Sequence, residues 1–204
     1  MKLVIQIPAW NEEEHLGTAL DALPTSVEGF DEVEVLVIDD GSSDGTVRVA
    51  EEHGARVVRL PGHRGLAVAF VTGLRESVRA GADVVVNTDA DNQYDAGDIP
   101  ALTAPILRGE AEMVIGDRDP GSMPSFSPLK RLLQRLGSWV VRRLSGTEVR
   151  DATSGFRAIS RTAALKLHVF TRFTYTLETI LQAGEAGLRV VSVPIHVNPV
   201  VARP

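Results

Sequence analysis

Apolar and polar positions alternate along this chain in two registers. Runs of β-branched and apolar residues at 3–7, 33–38, 56–60 and 83–87 read as strands. The second run is almost wholly apolar, as expected for a strand buried on both faces. Between the runs, segments at 15–23, 46–53 and 66–80 read as helices, and Pro8, Pro24 and Pro61 close three of the elements. Ala67, Ala69 and Gly73 on the third helix suit close packing on a sheet. Strand and helix therefore alternate up to the fourth strand. That order predicts an α/β fold whose sheet is mostly parallel with right-handed crossovers.

Beyond the fourth strand the expected elements are a helix over 96–108, a strand over 111–115, helices over 161–167 and 176–186, and a strand over 189–193. Gly187 supplies a helix-ending signal. Residues 116–128 form a long Gly/Pro/Ser stretch, and loops of that length in a domain are usually functional. Residues 129–144 predict an amphipathic helix. Leu132, Leu133, Leu136, Trp139, Val140 and Leu144 recur at helical spacing, with Lys130, Arg131, Arg135, Arg142 and Arg143 among them. Such a helix can lie on a membrane surface or pack with its charged face outward. With no repeat and no linker, 1–204 reads as one domain: a nucleotide-binding half at 1–93 and an acceptor-side half at 94–204.

Composition narrows this picture. A chain of 204 residues can build one sizeable core. A net charge of -6 argues against a nucleic-acid partner, because no basic excess exists to neutralise phosphates. The absence of cysteine removes disulfides and thiolate metal sites and leaves the cytoplasm as the expected compartment, with peripheral attachment to the cytoplasmic membrane open. The apolar start is too short for a signal peptide, and no run of about 18 apolar residues exists to span a bilayer. The chain stops at 202–204 without a terminating element, which leaves room for a longer parent.

The chemistry gathers where strands end. In an open α/β sheet, ligands bind outside the carboxyl ends of the strands. The fourth strand runs into Asp89-Ala90-Asp91-Asn92-Gln93, an oxygen-rich exit loop suited to a hard cation serving a bound phosphate. The second strand runs into Asp39-Asp40-Gly41-Ser42-Ser43-Asp44, where Asp44 suffices as a helix cap and the first two acids call for another role, such as receiving a base N–H or a ribose hydroxyl. Asn11 and Glu14 have capping-box spacing, so helix-start chemistry competes with ligand binding at Asn11 and Glu12. Arg64, after the third strand, can meet a phosphate or solvent. Neither Gly-x-Gly-x-x-Gly nor Gly-x-x-x-x-Gly-Lys-Ser/Thr occurs, which counts against a dinucleotide fold and a P-loop. A nucleotide held by acids and a divalent cation fits better.

These stretches resemble family 2 glycosyltransferases of the GT-A fold, and most of all the dolichyl or polyprenyl-phosphate mannose synthase type. The matching segments are Ile7-Pro8-Ala9-Trp10-Asn11-Glu12-Glu13, Val37-Ile38-Asp39-Asp40-Gly41-Ser42-Ser43-Asp44-Gly45-Thr46, Gly62-His63-Arg64-Gly65-Leu66-Ala67, Asp89-Ala90-Asp91-Asn92-Gln93, Gly116-Asp117-Arg118 and Asp151-Ala152-Thr153-Ser154-Gly155-Phe156-Arg157, in the family's order. The resemblance implies an inverting, metal-dependent transfer from a nucleotide-diphosphate sugar to a polyprenyl phosphate at a membrane surface. It implies that Pro8, Ala9, Trp10, Asn11, Glu12, an acid of the Asp39-Asp40 pair, Arg64 and Ala90 serve the nucleotide sugar. Asp89, Asp91 and Gln93 would hold Mg²⁺ or Mn²⁺ on the diphosphate. Arg118 and Arg131 match basic positions near the phosphates, with Arg203 a candidate for another, the segment Asp151–Arg157 would face the reacting centre, and Glu178 matches an acid on the helix behind it, which makes Asp151, Arg118, Arg131 and Glu178 the catalytic candidates.

Trp10 stands where tyrosine is common, and Arg64 where lysine is common. Relatives that glycosylate a hydroxyl often use an aspartate base in this C-terminal region, and Ser154-Gly155-Phe156 offers none. A phosphate acceptor is already ionised and needs positioning more than a base. Three alternatives remain: a transferase acting on a hydroxyl with Asp151 as base, a nucleotidyltransferase, and a non-catalytic nucleotide-sugar-binding module.

Overall fold

The computed structural model describes residues 1–119, 137, 139, 141–169 and 175–198. Its centre is β1, Lys2–Ala9, seven of whose eight residues are buried. After it come α1 (Leu16–Asp21), β2 (Glu32–Asp39), α2 (Thr46–Glu52), β3 (Arg56–Arg59), α3 (Leu66–Arg79) and β4 (Val84–Asn87). A 3₁₀ turn at Ala96–Asp98 leads into α4 (Ile99–Leu107), and β5 (Met113–Asp117), β6 (Arg157–Ser160), α5 (Arg161–Lys166), α6 (Tyr175–Glu185) and β7 (Val190–Pro194) complete the described elements. Residues 141–145 are also helical.

The seven strands form one sheet in the order β3-β2-β1-β4-β6-β5-β7. β1 pairs in parallel with β2 and β4, β2 with β3, and β5 with β7. Only β6 among the described strands runs antiparallel, between β4 and β5. The sheet is thus mostly parallel, as its alternation predicts.

Side chains alternate across it with the two-residue period of a strand. Val4, Leu36, Ile38, Val85, Met113 and Ile159 face α3, α5 and α6, where Phe70, Leu74, Ala163 and Ile180 fill the core. Leu3, Ile5, Val84, Val86, Val114 and Ala158 face Ile99 and Leu102 of α4 on the other side. Ile7 and Val37 extend that second face towards α1 and α2. Gly73 is the close approach of α3 to the sheet: a Cβ there would stand 2.6 Å from Gln6 Oε1 and 2.7 Å from Ile38 Cδ1.

Several expectations change. The sequence pattern predicts no strand at 157–160, yet β6 sits in the middle of the sheet. Asn11 does not cap α1. That helix begins at Leu16 behind His15, while Asn11 adopts φ 54° and accepts from Ser43 N through its side chain. The helix over 96–108 splits into the 3₁₀ turn and α4, with Asp95 accepting from Gly97 N at the start. The stretch 120–136, including Arg131, and Arg203 lie outside the described residues.

Candidate active site

Chain direction reverses its progress across the sheet at β1. From β1 the chain builds β2 and β3 on one side, then returns to place β4 on the other. The gap between the exits of β1 and β4 is therefore a topological switch point, where α/β sheets receive ligands. Two polar stations flank it.

The first is built from the exits of β1, β2 and β3. The β1 and β2 loops are tied together: Asn11 N donates to Ser42 Oγ at 2.9 Å, Glu12 N to Thr46 Oγ1 at 2.8 Å and Gly45 N to Glu13 Oε2 at 2.9 Å. Asp44 accepts from Thr46 N and from Glu13 N, but it stands one residue ahead of Gly45, which is the N-cap of α2 in place of the expected Asp44. Asp39 is fully buried. It accepts from Ser42 N at 3.0 Å and lies 3.2 Å from Arg59 Nε. Asp40 is also buried. It accepts from Arg64 N at 2.7 Å and Gly65 N at 2.8 Å, and its carboxylate is 2.9 Å from His63 Nδ1.

The second acid therefore secures the loop leading into α3, a structural duty the sequence pattern does not disclose. Neither acid is a solvated loop carboxylate. Above them Trp10, half exposed, stacks on His63 with ring centroids 4.1 Å apart. Pro8 and Ala9 are buried within β1, and Ala90 is packed against Ile7 and Ala9. The Arg64 residue is exposed.

The second station is the exit of β4. Because β6 runs antiparallel beside β4, Arg157 pairs with Asn87, and the residues just before β6 arrive at the β4 exit. This is how the segment 151–157 reaches Asp89. Gln6 Nε2 donates to Asn87 Oδ1 at 2.9 Å, and Asn87 Nδ2 donates to Gly155 O at 2.9 Å, both inside the core. A Cβ on Gly155 would stand 3.1 Å from Asp89 Oδ1 and 3.3 Å from the Tyr175 hydroxyl, so a small residue fits best there. Tyr94 donates its hydroxyl hydrogen to Asp89 and accepts from Gly155 N at 3.0 Å.

Asp89 keeps limited solvent contact but is crowded on all sides. Loss of hydration, then the charge of Asp91, pushes its pKa up to about 6 against the pull of Arg118 and Arg157. Burial and the Asp89 charge push the Tyr94 hydroxyl up to about 12. Asp91 turns back to accept from Gln93 N at 3.1 Å, and Asn92 between them has φ 55°. Asn198 Nδ2 donates to Asn92 O at 2.9 Å and so pins this loop to the segment after β7.

Arg118 follows β5 and closes the station. Its Nε and Nη2 meet the two oxygens of Asp151 at 2.6 and 3.0 Å, and Nη2 also donates to Thr153 Oγ1 at 2.9 Å. The Asp151 side chain is wholly buried and that of Arg118 nearly so. Burial draws the guanidinium pKa down, but the bond to Asp151 together with the electrostatic pull of Tyr94, Asp151 and Asp89 raises it overall. Both oxygens of Asp151 are thus engaged in holding Arg118, which makes Asp151 an anchor rather than a waiting base.

Arg157 is fully buried, donating to Ser154 O, Ala152 O, Thr176 O and Thr179 Oγ1. Burial lowers its pKa. It clamps the 152–155 turn against Asp89. Glu178 accepts from Gln182 Nε2 at 3.1 Å, within the helix behind the site.

Asp89, Asp91, Arg118 and Asp151 thus lie close together, and Trp10, Asn11, Glu12 and the Asp39-Asp40 pair form the neighbouring group. Arg157 and His63, which lie inside matching segments but had no role of their own there, join them, as do Tyr94 and Tyr175, which had no sequence signal. Among the described residues, no three His, Asp or Glu side chains are grouped to hold a metal ion. Asp89 and Asp91 still fit one. They are close enough for one charge to raise the pKa of the other, and a cation between them and a diphosphate would relieve that repulsion.

The profile described as Glycosyl transferase family 2 matches residues 4–167. Undecaprenyl-phosphate mannosyltransferase of Micrococcus luteus is 30% identical over 206 residues, 96% of this chain and 83% of that protein. Polyprenol monophosphomannose synthase of Mycolicibacterium smegmatis is 30% identical over 210 residues, 95% and 76% of the two chains. Among solved structures, glucosyl-3-phosphoglycerate synthase from Mycobacterium tuberculosis, in complex with Mn²⁺, UDP and phosphoglyceric acid, superposes with a TM-score of 0.76. It is 24% identical, and the match covers 100% of this chain and 72% of that one, a likeness that speaks to the fold.

Proposed function

The chain belongs to glycosyl transferase family 2, and we propose that it moves a sugar from a nucleotide-diphosphate sugar to the phosphate of a polyprenyl lipid. The observation that carries the acceptor class is the Arg118–Asp151 pair. Both carboxylate oxygens of Asp151 are bound by one guanidinium, so the aspartate nearest the reacting segment is not placed to take a proton. A phosphate acceptor needs no such base, because its oxygens are already ionised near neutrality. The two named relatives act on undecaprenyl phosphate and make polyprenol monophosphomannose, which supports the same class.

In this reading the first station receives the nucleoside and the second the diphosphate. Asp89, Asp91 and the Gln93 side chain would hold a divalent cation, with the diphosphate oxygens completing its shell. Bound there, Mg²⁺ or Mn²⁺ would neutralise charge on the leaving diphosphate. Arg118, fixed by Asp151 and Thr153, presents its charge beside the same centre. Gly155 and Tyr94 keep Asp89 in place. An acceptor oxygen then attacks the anomeric carbon as its bond to the diphosphate breaks, which inverts configuration. Glu178 supports the helix behind the site, and Arg64 and Arg131 add positive charge for phosphates.

A thermal-shift screen of nucleoside diphosphates and nucleotide sugars, with and without Mn²⁺, tests the donor half. A ligand at one hundred times its dissociation constant stabilises by roughly 2.7 kcal/mol. The expected result is a metal-dependent rise for one nucleotide family. The absence of a rise with every nucleotide contradicts the proposal.

A further inference from the structure

The Trp10–His63 stack crosses the sheet. Trp10 leaves β1 and His63 leaves β3, and β2 lies between those two strands. A contact between the two exit loops must therefore pass over the exit of β2, where Asp39 and Asp40 end. The contacts agree: the imidazole Nδ1 is 2.9 Å from Asp40 Oδ2, and its ring lies on the indole at 4.1 Å. Beneath this bridge the Asp39 side chain is 0% exposed and that of Asp40 4%, whereas the side chain of His63 is 52% exposed. Asp40 is thus capped by a solvent-facing imidazole, while Arg59 lies against Asp39 beside it.

The parts around His63 differ in how firmly they are held. The β1 and β2 loops are joined by the backbone-to-side-chain bonds of Asn11, Glu12 and Gly45. The backbone of the β3 loop is held by Asp40 through Arg64 N and Gly65 N. Both of those bonds survive if the imidazole rotates away. His63 is the piece that can move while the frame stays.

Beside the stack, a cleft of about 460 Å³ opens among Gly41, Arg59, Leu60, Pro61 and Gly62. At one edge of it Gly41, with φ 75°, lets the β2 and β3 exit loops approach closely: a Cβ there would stand 2.6 Å from the Gly62 backbone. The cleft gives a displaced imidazole somewhere to go.

Resting on the nucleotide-sugar reading above, we propose that His63 is a reversible cover of the nucleoside subsite. In the free chain its imidazole occupies the face of Trp10 that the donor's base takes, and the base displaces it to reach the rim of Asp39 and Asp40. His63 then acts on donor affinity and selectivity and takes no part in bond making. A stacked aromatic pair and a nucleobase on the same indole exchange one stacking contact for another. Donor affinity is reduced by the fraction of chains in which the cover is closed.

The test compares the intact chain with H63A, binding UDP and GDP by calorimetry in the presence of Mn²⁺. A cover predicts that H63A binds the accepted nucleotide about three- to tenfold more tightly. It also predicts weaker discrimination between the two. A parallel titration in a W139F background leaves Trp10 as the only tryptophan. There the nucleotide perturbs Trp10 emission, and H63A changes the emission of the free protein. Unchanged or weaker binding by H63A overturns the cover and leaves the nucleotide-sugar reading standing. Binding of neither nucleotide by either chain overturns both.

Discussion

Asp89 carries an electrostatic cost that the free protein does not recover. Its carboxyl is held at a pKa of about 6 against an ordinary value of 3.8, through lost hydration and then the neighbouring Asp91. An acid whose folded pKa stands above its unfolded one binds protons more tightly when folded. Stability therefore falls as pH rises through roughly 4 to 6 and stays lower above that window. A rise from 3.8 to about 6 corresponds to roughly 2–3 kcal/mol. Asp89→Asn removes the charge and keeps an acceptor for Tyr94. We expect it to stabilise the metal-free protein by about 2 kcal/mol at pH 8 and by almost nothing at pH 4, measured by urea unfolding. Destabilisation at pH 8 contradicts this account of the site. Asp89 and Asp91 were legible in sequence because an acid pair closing a buried strand is a local pattern. Tyr94 and Tyr175 were not, and of Arg157 only its place in a matching segment was: their roles come from burial by tertiary contacts, and a tyrosine or arginine in isolation announces nothing about its partners.

At the scale of elements, β6 decides the geometry. Its antiparallel course beside β4 delivers Gly155 to Asp89, and its pairing with β5 sets the 151–153 turn beside Arg118. The buried Arg118–Asp151 pair should behave as one unit. Arg118→Met or Asp151→Asn alone leaves a charge without its partner and is expected to cost about 3 kcal/mol or more. The double variant should cost clearly less than the sum. Additive losses in denaturant unfolding contradict the pairing.

On the other face, α3 depends on Gly73. Alanine in a helix gains about 1 kcal/mol over glycine. The new Cβ, however, would press on buried Gln6 and Ile38, and overpacking costs typically 1–3 kcal/mol. Gly73→Ala is thus expected to lower the melting temperature, and a rise contradicts the close approach. The parallel elements β1 to β4 were legible from their apolar runs and proline stops. β6 was not. It is four residues long, begins with arginine and ends with serine, and takes its place by pairing with strands distant in sequence.

For the molecule as a whole, the two edges of the sheet divide the work. The start edge is tied by ion pairs: Lys2 to Glu32 and Glu34, and Arg56 to Glu34. The exit edge collects the acids, aromatic rings and arginine of both stations. No helix among the described residues is long and apolar enough to cross a membrane. The family and the GT-A architecture were readable from six short motifs in order, because five mark strand exits, the sixth leads into antiparallel β6, and together they trace one edge. The acceptor was less readable, because it turns on which atoms Asp151 touches. The most direct measurement is product analysis with a panel of UDP- and GDP-sugars, Mn²⁺ or Mg²⁺, and either a polyprenyl phosphate or the same polyprenol without phosphate. The account predicts a lipid-linked sugar phosphate from the phosphorylated acceptor alone, dependent on the metal and lost in Asp91→Ala. Transfer to the phosphate-free alcohol, or to a small-molecule hydroxyl with none to the lipid phosphate, would contradict it.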